Sequence, residues 1–205
     1  MWFLQGRAIL WPSTLDVEKG GDSSVTLTMM PITLDHAIAL LRVVVGLLFM
    51  GHGAQKLFGW FGGHGLSAMA NWFDSLAMPM PRGLTVFVGL CELFGGLLFA
   101  LGLLTPLAAL AISAVMLGAI AHRWPNGLWV IHNGFEYDLV LLAIAAAVGL
   151  AGPGAYALDP IYSVSLPASA TGIYLVGLVL ELIGLALIYS ARGRRTVHHH
   201  RASAA

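Results

Sequence analysis

The sequence predicts an all-α integral membrane protein, a bundle of four transmembrane helices followed by a fifth near the C-terminus. Three observations carry this. Of the 205 residues, 58% are hydrophobic and only 10% charged, against about 25% charged in an ordinary soluble domain. The apolar residues come in blocks too long for soluble core helices. And runs such as 139–150 are continuously apolar, without the in–out alternation that a membrane β-barrel requires. Inside hydrocarbon a spanning backbone must satisfy its own hydrogen bonds, and an α-helix does so within one segment.

Residues 1–33 form an appendage. Their polar centre, Ser13 to Ser24 with Asp16, Glu18, Lys19 and Asp22, divides two mildly apolar ends. A secretory signal has a basic start, one apolar run and a small-residue cleavage site, none of which is distinct here. The stretch reads as a disordered tail, or as the product of an upstream start codon with initiation at Met29 or Met30.

The bundle follows over residues 34–160. The first span covers 36–58, with Thr33 and Asp35 as cap candidates. A Gly- and aromatic-rich loop, 59–82, holds Trp60, Phe61, Trp72 and Phe73; within it, 66–76 has helical spacing and suits the interface, where Trp anchors belong. The second span is 84–104. Thr105-Pro106 turns the chain, Pro fitting the first position of the next helix, which runs 107–124. A polar-aromatic loop leads to the fourth span, 137–151, which Gly152-Pro153-Gly154 ends. A linker and fifth span fill 161–190, the helix itself covering 172–189. Residues 191–205 are a basic tail with Arg192, Arg194 and Arg195. Because Lys and Arg accumulate in cytoplasmic loops, that tail places the C-terminus inside and the Thr105 turn outside.

Charges within spans are costly, about 2.5–3.5 kcal/mol each at a helix centre, so each invites a reason. At about 100° per residue, Arg42 and Lys56 share a stripe with Gly46 and Gly53, and His52 lies beside it. Glu92 shares a face with Thr85, Gly89 and Gly96, and Glu181 with Tyr174, Gly177 and Gly184. Small residues beside a charge mark a face that meets another helix, since Gly permits close approach. Two readings stand for these charges: an ion pair of Glu92 with Arg42, Lys56 or both that fixes register inside the bundle, or a functional site. For Arg42 there is a third, snorkelling to the interface. His52, His64, His122 and His132 sit near span ends or in loops. No pair has the helical i, i+4 spacing of a metal site, so interfacial hydrogen bonding is the plain reading and no metal is expected. Glu136 and Asp138 stand at the mouth of the fourth span, where acidic groups favour a helix N-terminus.

Composition also excludes. The formal net charge is zero, which gives no case for a nucleic-acid partner. The single cysteine, Cys91, rules out a CxxC dithiol and a cysteine-ligated iron–sulfur cluster. Gly62-Gly63-His64-Gly65 lacks the strand–helix context of a dinucleotide fingerprint. The chain therefore carries no redox cofactor of its own that its sequence reveals.

Several strings together resemble a known family. Leu41-Arg42 through Gly46, then Gly51-His52-Gly53-Ala54-Gln55-Lys56-Leu57-Phe58-Gly59, is similar to the opening of the DoxX family of small bacterial membrane proteins. Gly89-Leu90-Cys91-Glu92-Leu93-Phe94-Gly95-Gly96 and Leu101-Gly102-Leu103-Leu104-Thr105 resemble its second helix. Asn133-Gly134-Phe135-Glu136-Tyr137 resembles the entry to its fourth, and Ala151-Gly152-Pro153-Gly154 with Leu158-Asp159 its end. The resemblance spans about residues 34–160 and implies a four-helix membrane bundle. Relatives of that family are associated with a terminal quinol oxidase, with thiosulfate:quinone oxidoreduction, and with a membrane complex of superoxide dismutase and a sulfurtransferase. The family's recurring polar positions fall on Arg42, His52, Gln55, Lys56, Glu92 and Glu136, a candidate cluster for quinone and proton handling or for an ion pair. The N-terminal tail and the fifth span with Glu181 depart from the pattern. The resulting expectation is a multi-pass protein of the bacterial inner membrane. The expected role is that of a non-catalytic or accessory subunit of a quinone- or thiol-linked redox complex, with a protein partner that holds the cofactor and with a quinone as ligand. A structural anchor or assembly factor, and a small transporter or channel, are the alternatives; the resemblance does not by itself make the chain an enzyme.

Overall fold

The computed structural model describes residues 33–161 and 169–203, with side chains described as far as Arg194. The appendage read at 1–33 and most of the linker at 161–169 lie outside the described residues. Six helices of more than one turn build the described part: α1 Leu34–Phe58, α2 Gly65–Ser75, α3 Pro81–Leu101, α4 Thr105–Arg123, α5 Glu136–Ala151 and α6 Ala170–Ser203. No strand occurs among the described residues.

Local chemistry sets the boundaries. The Thr33 amide donates to His36 Nδ1 at 3.2 Å, opening α1, and Gly59 closes it in the left-handed region at φ 74°, where a Cβ is penalised. The second span starts at Pro81 and stops at Leu101, three residues earlier at each end than the hydropathy predicts. Proline suits a first helical turn, and Gly102 at φ 63° breaks the helix before Leu103 and Leu104 can extend it. Inside α3, Cys91–Gly95 forms a π-helical segment, a widened turn that often accompanies function. At the other extreme α6 runs past the predicted Tyr189 and continues as helix to Ser203.

Helices α1, α3, α4 and α5 pack in a closed antiparallel ring, and α6 lies outside it against α4 and α5. Two small-residue contacts seat α1 on α3: a Cβ at Gly53 would come within 2.5 Å of the Leu93 amide nitrogen, and one at Gly46 within 2.5 Å of the Gly96 carbonyl. Such close backbone approach is the common membrane solution, because lipid gives helices no hydrophobic reason to associate. The buried core contains Phe49, Phe99, Ala108, Ala109, Ile112, Leu141 and Ala145. The outer surface is as apolar as the core, with Leu40, Leu47, Phe94, Val140, Val176 and Leu187 exposed. That inversion of the soluble pattern is what an acyl-chain solvent allows.

Among the described residues four helices are long and apolar enough to cross a membrane: Leu34–Phe58, Pro81–Leu101, Thr105–Asn126 and Ala170–Arg194. The fourth predicted span, α5, has 16 residues and rises only about 24 Å, short of the roughly 30 Å hydrocarbon layer. It nevertheless occupies a place in the ring. The bundle has two ends. The N-terminus of α1, the 102–104 turn and the chain after α5 lie at one, called the turn end. The C-terminus of α1, α2, the 124–135 loop and the end of α6 lie at the other, called the loop end.

Candidate functional site

The predicted polar residues separate into three places. At the loop end, Lys56 Nζ forms an ion pair with Glu92 Oε1. Both belong to the α1–α3 seam: Lys56 sits two residues from the end of α1, and Glu92 lies on the π segment, so its carboxylate is aimed into the bundle. The Glu92 side chain is 4% exposed and that of Lys56 22%. The second carboxylate oxygen, Oε2, is buried with no hydrogen-bond partner among the described residues. His52 stands one turn before Lys56, exposed, with Nδ1 3.2 Å from Gln55 Oε1. Gln55 in turn donates through Nε2 to the Phe61 carbonyl at 3.4 Å, tying the end of α1 to the loop folded over it. His52, Gln55, Lys56 and Glu92 thus share one end of one seam.

Arg42 is elsewhere. It lies about 21 Å along the α1 axis from Lys56, 1% exposed, with Nη2 donating to the Tyr156 carbonyl. Burial excludes the snorkelling reading. Its surroundings give a reason for the charge: after α5 the chain is irregular, and irregular backbone near hydrocarbon must find partners inside the protein. Arg42 takes the Tyr156 carbonyl, while Asp35 accepts from the Ala155 amide at 2.9 Å. Asp159 then accepts from the Leu104 amide at 2.7 Å, the Thr105 amide at 2.9 Å and the Thr105 hydroxyl at 2.7 Å. These bonds cap α4 and stitch the turn end together. Arg42 still has Nε and Nη1 buried without a partner among the described residues.

Glu136 is the third place. Its Oε2 accepts from the Val130 amide at 3.0 Å, closing the 124–135 loop on itself at the start of α5. It is on the same side of the molecule as Lys56 but makes no described hydrogen bond to the Lys56–Glu92 pair.

Sequence reasoning passed over two contacts. Asp138, 3% exposed, receives Arg123 Nη1 on both carboxylate oxygens at 2.6 Å, locking α4 to α5. Ser113 and the Tyr174 hydroxyl meet at 2.9 Å in the core and pin α6 to α4. The Asp138 position was visible as an acidic helix start, but its partner, 15 residues back across a loop, carried no spacing signal. Glu181, on the same face of α6 as Tyr174, has Oε2 buried without a partner among the described residues. Among the described residues no three His, Cys, Asp or Glu side chains gather as a metal site.

The arrangement at the loop end offers a half-buried ammonium paired with a buried carboxylate that keeps one free oxygen, beside an exposed imidazole. Such a group can hold a proton and accept a hydrogen bond from a hydroxyl, or donate one to a carbonyl.

Comparison with known proteins agrees with this architecture. Residues 37–133 match the DoxX family profile. A Bacillus subtilis protein named "Putative oxidoreductase CatD" is 31% identical over 59% of this chain and 83% of its own length. A Mycobacterium tuberculosis protein named "Uncharacterized membrane protein Rv3486" is 26% identical over 60% of this chain and 79% of its own. No solved structure matches. With its helical membrane bundle, and with that relative matched over most of its length, the chain is a member of the DoxX family.

Proposed function

We propose that the protein is a membrane subunit of a redox system in the cell membrane, handling the headgroup of a quinone with electrons supplied by a partner protein. The observation that carries this reading is the Lys56–Glu92 pair, whose free oxygen Glu92 Oε2 is buried in the bundle. A quinone supplies two-electron, two-proton chemistry when bound. The residues fit its headgroup: Lys56 has donors beyond the one given to Glu92, suited to a ring carbonyl, and Glu92 Oε2 accepts from a ring hydroxyl. The pair holds a proton between them, and His52, at the exposed end of the seam, exchanges it with water. The α1–α3 exterior stays apolar, as an isoprenoid tail requires. The relative named as an oxidoreductase supports the redox side of the reading.

Binding of a quinone analogue to the purified protein tests it. Glu92→Gln and His52→Ala are expected to weaken binding, Glu92→Gln by about tenfold, the worth of one charge-assisted hydrogen bond. Unchanged binding in both variants, or none in the parent, removes the redox reading and leaves the structural anchor.

A further inference from the structure

We infer that a groove between α4 and α6 at the loop end holds an anionic phospholipid, its phosphate on Arg192 and its acyl chain along the helix seam. The groove has a volume of about 530 Å³, with Leu117, Ile120 and Leu185 on its walls and His122, Tyr189 and Arg192 toward its mouth. Trp124 and Pro125, where α4 ends, line the same mouth.

Depth supports the assignment. Arg192 lies about 33 Å along α6 from Ala170, and Tyr189 about 28 Å. Both therefore fall where a hydrocarbon layer of roughly 30 Å gives way to headgroups. The apolar walls lie below that level and the polar groups at it, the order of parts in a phospholipid.

Charge decides between candidate occupants. Among the described residues Arg192 has no carboxylate at ion-pair distance; its guanidinium rests over the Tyr189 ring, 5.6 Å from the centroid. The Tyr189 hydroxyl is buried and has no hydrogen-bond partner among the described residues, so the site holds a polar group in need of one. Arg194 stands two residues beyond, about 200° further round the helix, and is exposed. An unpaired guanidinium, a hydroxyl and an imidazole at a membrane surface suit a phosphate, which accepts several charge-assisted bonds at once. A zwitterionic headgroup also offers a phosphate, but its quaternary ammonium cancels that charge and is repelled by the guanidinium. Basic pockets between membrane helices are recognised sites for acidic headgroups. The lightly buried α6 needs such a ligand more than its neighbours do, since only 6% of its spanning window is buried, against 44% for α4. A lipid lodged in the seam adds contacts that the protein itself does not make.

The test uses the full chain, purified in mild detergent and equilibrated with phosphatidylglycerol and phosphatidylcholine of identical acyl chains. Retained lipid is read by native mass spectrometry. Both lipids offer a phosphate, but choline's cation opposes Arg192, and the parent is expected to retain phosphatidylglycerol about tenfold over phosphatidylcholine, a difference of about 1.4 kcal/mol. Arg192→Gln brings the ratio near one, Tyr189→Phe lowers it partway, and Arg194→Gln leaves it as in the parent. Where Arg192→Gln elutes as aggregate, His122→Gln serves as the second variant and is expected to lower the ratio. Equal retention of both lipids by the parent overturns the proposal, as does an Arg194→Gln effect equal to that of Arg192→Gln, which reports general surface charge. Displacement by soluble glycerol phosphate at millimolar concentration reassigns the site to free anions and also overturns it. So does a dimer that forms without retained lipid, because a second copy then fills the groove.

Discussion

Lys56 and Glu92 are the residues on which the functional reading turns, and their energetics can be separated from their role. Removing one member of a buried ion pair strands the other charge, at a cost of roughly 3–5 kcal/mol, whereas replacing both by apolar groups is far milder. Because Lys56 is partly exposed, the lower end applies: Glu92→Leu is expected to cost about 3 kcal/mol, and adding Lys56→Met to recover most of it. Unfolding of Glu92→Leu, Lys56→Met and the double variant in detergent measures the cycle; strictly additive losses contradict a direct pair. The importance of Glu92 was legible in the sequence, as a carboxylate within an apolar block beside glycines. Its partner was narrowed to Arg42 or Lys56 and no further. A helical wheel gives azimuth on one helix but no depth against another, so Arg42 and Lys56 looked equivalent until the α1–α3 register separated them. The π segment that re-aims Glu92 left no signal either, since its residues are as apolar as those of an ordinary helical turn.

Elements show the same division between what composition encodes and what packing adds. The spans announce themselves through hydrophobic length, and the Gly46 and Gly53 stripe through residue size. The turn end is held by side chains distant in sequence, and no local pattern reveals that Asp159 caps α4 from beyond α5. Asp159→Ala removes three hydrogen bonds at that cap. The expected loss is about 1–2 kcal/mol, the usual worth of an N-cap at its upper range, seen as a lower Tm in detergent. Asp159→Asn keeps acceptor capacity and is expected to lose less. Equal losses in the two variants contradict the capping account. The Arg123–Asp138 contact was equally hidden, because a loop of irregular turns decides which residues of α4 and α5 meet.

At the scale of the whole molecule, basic groups are distributed unevenly. Lys56, Arg82, Arg123, Arg192 and Arg194 belong to the loop end, and Arg42 is turned inward. The acidic Asp35 and Asp159 hold the turn end. By the preference of Lys and Arg for the cytoplasmic side, the loop end is expected to face the cytoplasm. In a Cys91→Ser background, a membrane-impermeant thiol reagent applied to intact cells is expected to label Ala155→Cys and spare Ile131→Cys; the opposite pattern reverses the orientation. The sequence pointed to this orientation through its tail alone; the helix order supplied the other basic groups. The short α5 has a consequence of its own. With a rise of about 24 Å beside helices of 21–25 residues, it gives the protein a hydrophobic belt of unequal height. Lipids along that flank must compress or tilt to match it, at fractions of a kcal/mol per ångström. Thin bilayers accommodate this shape at less elastic cost than thick ones, so chain length in the surrounding lipid becomes a variable in where the protein settles.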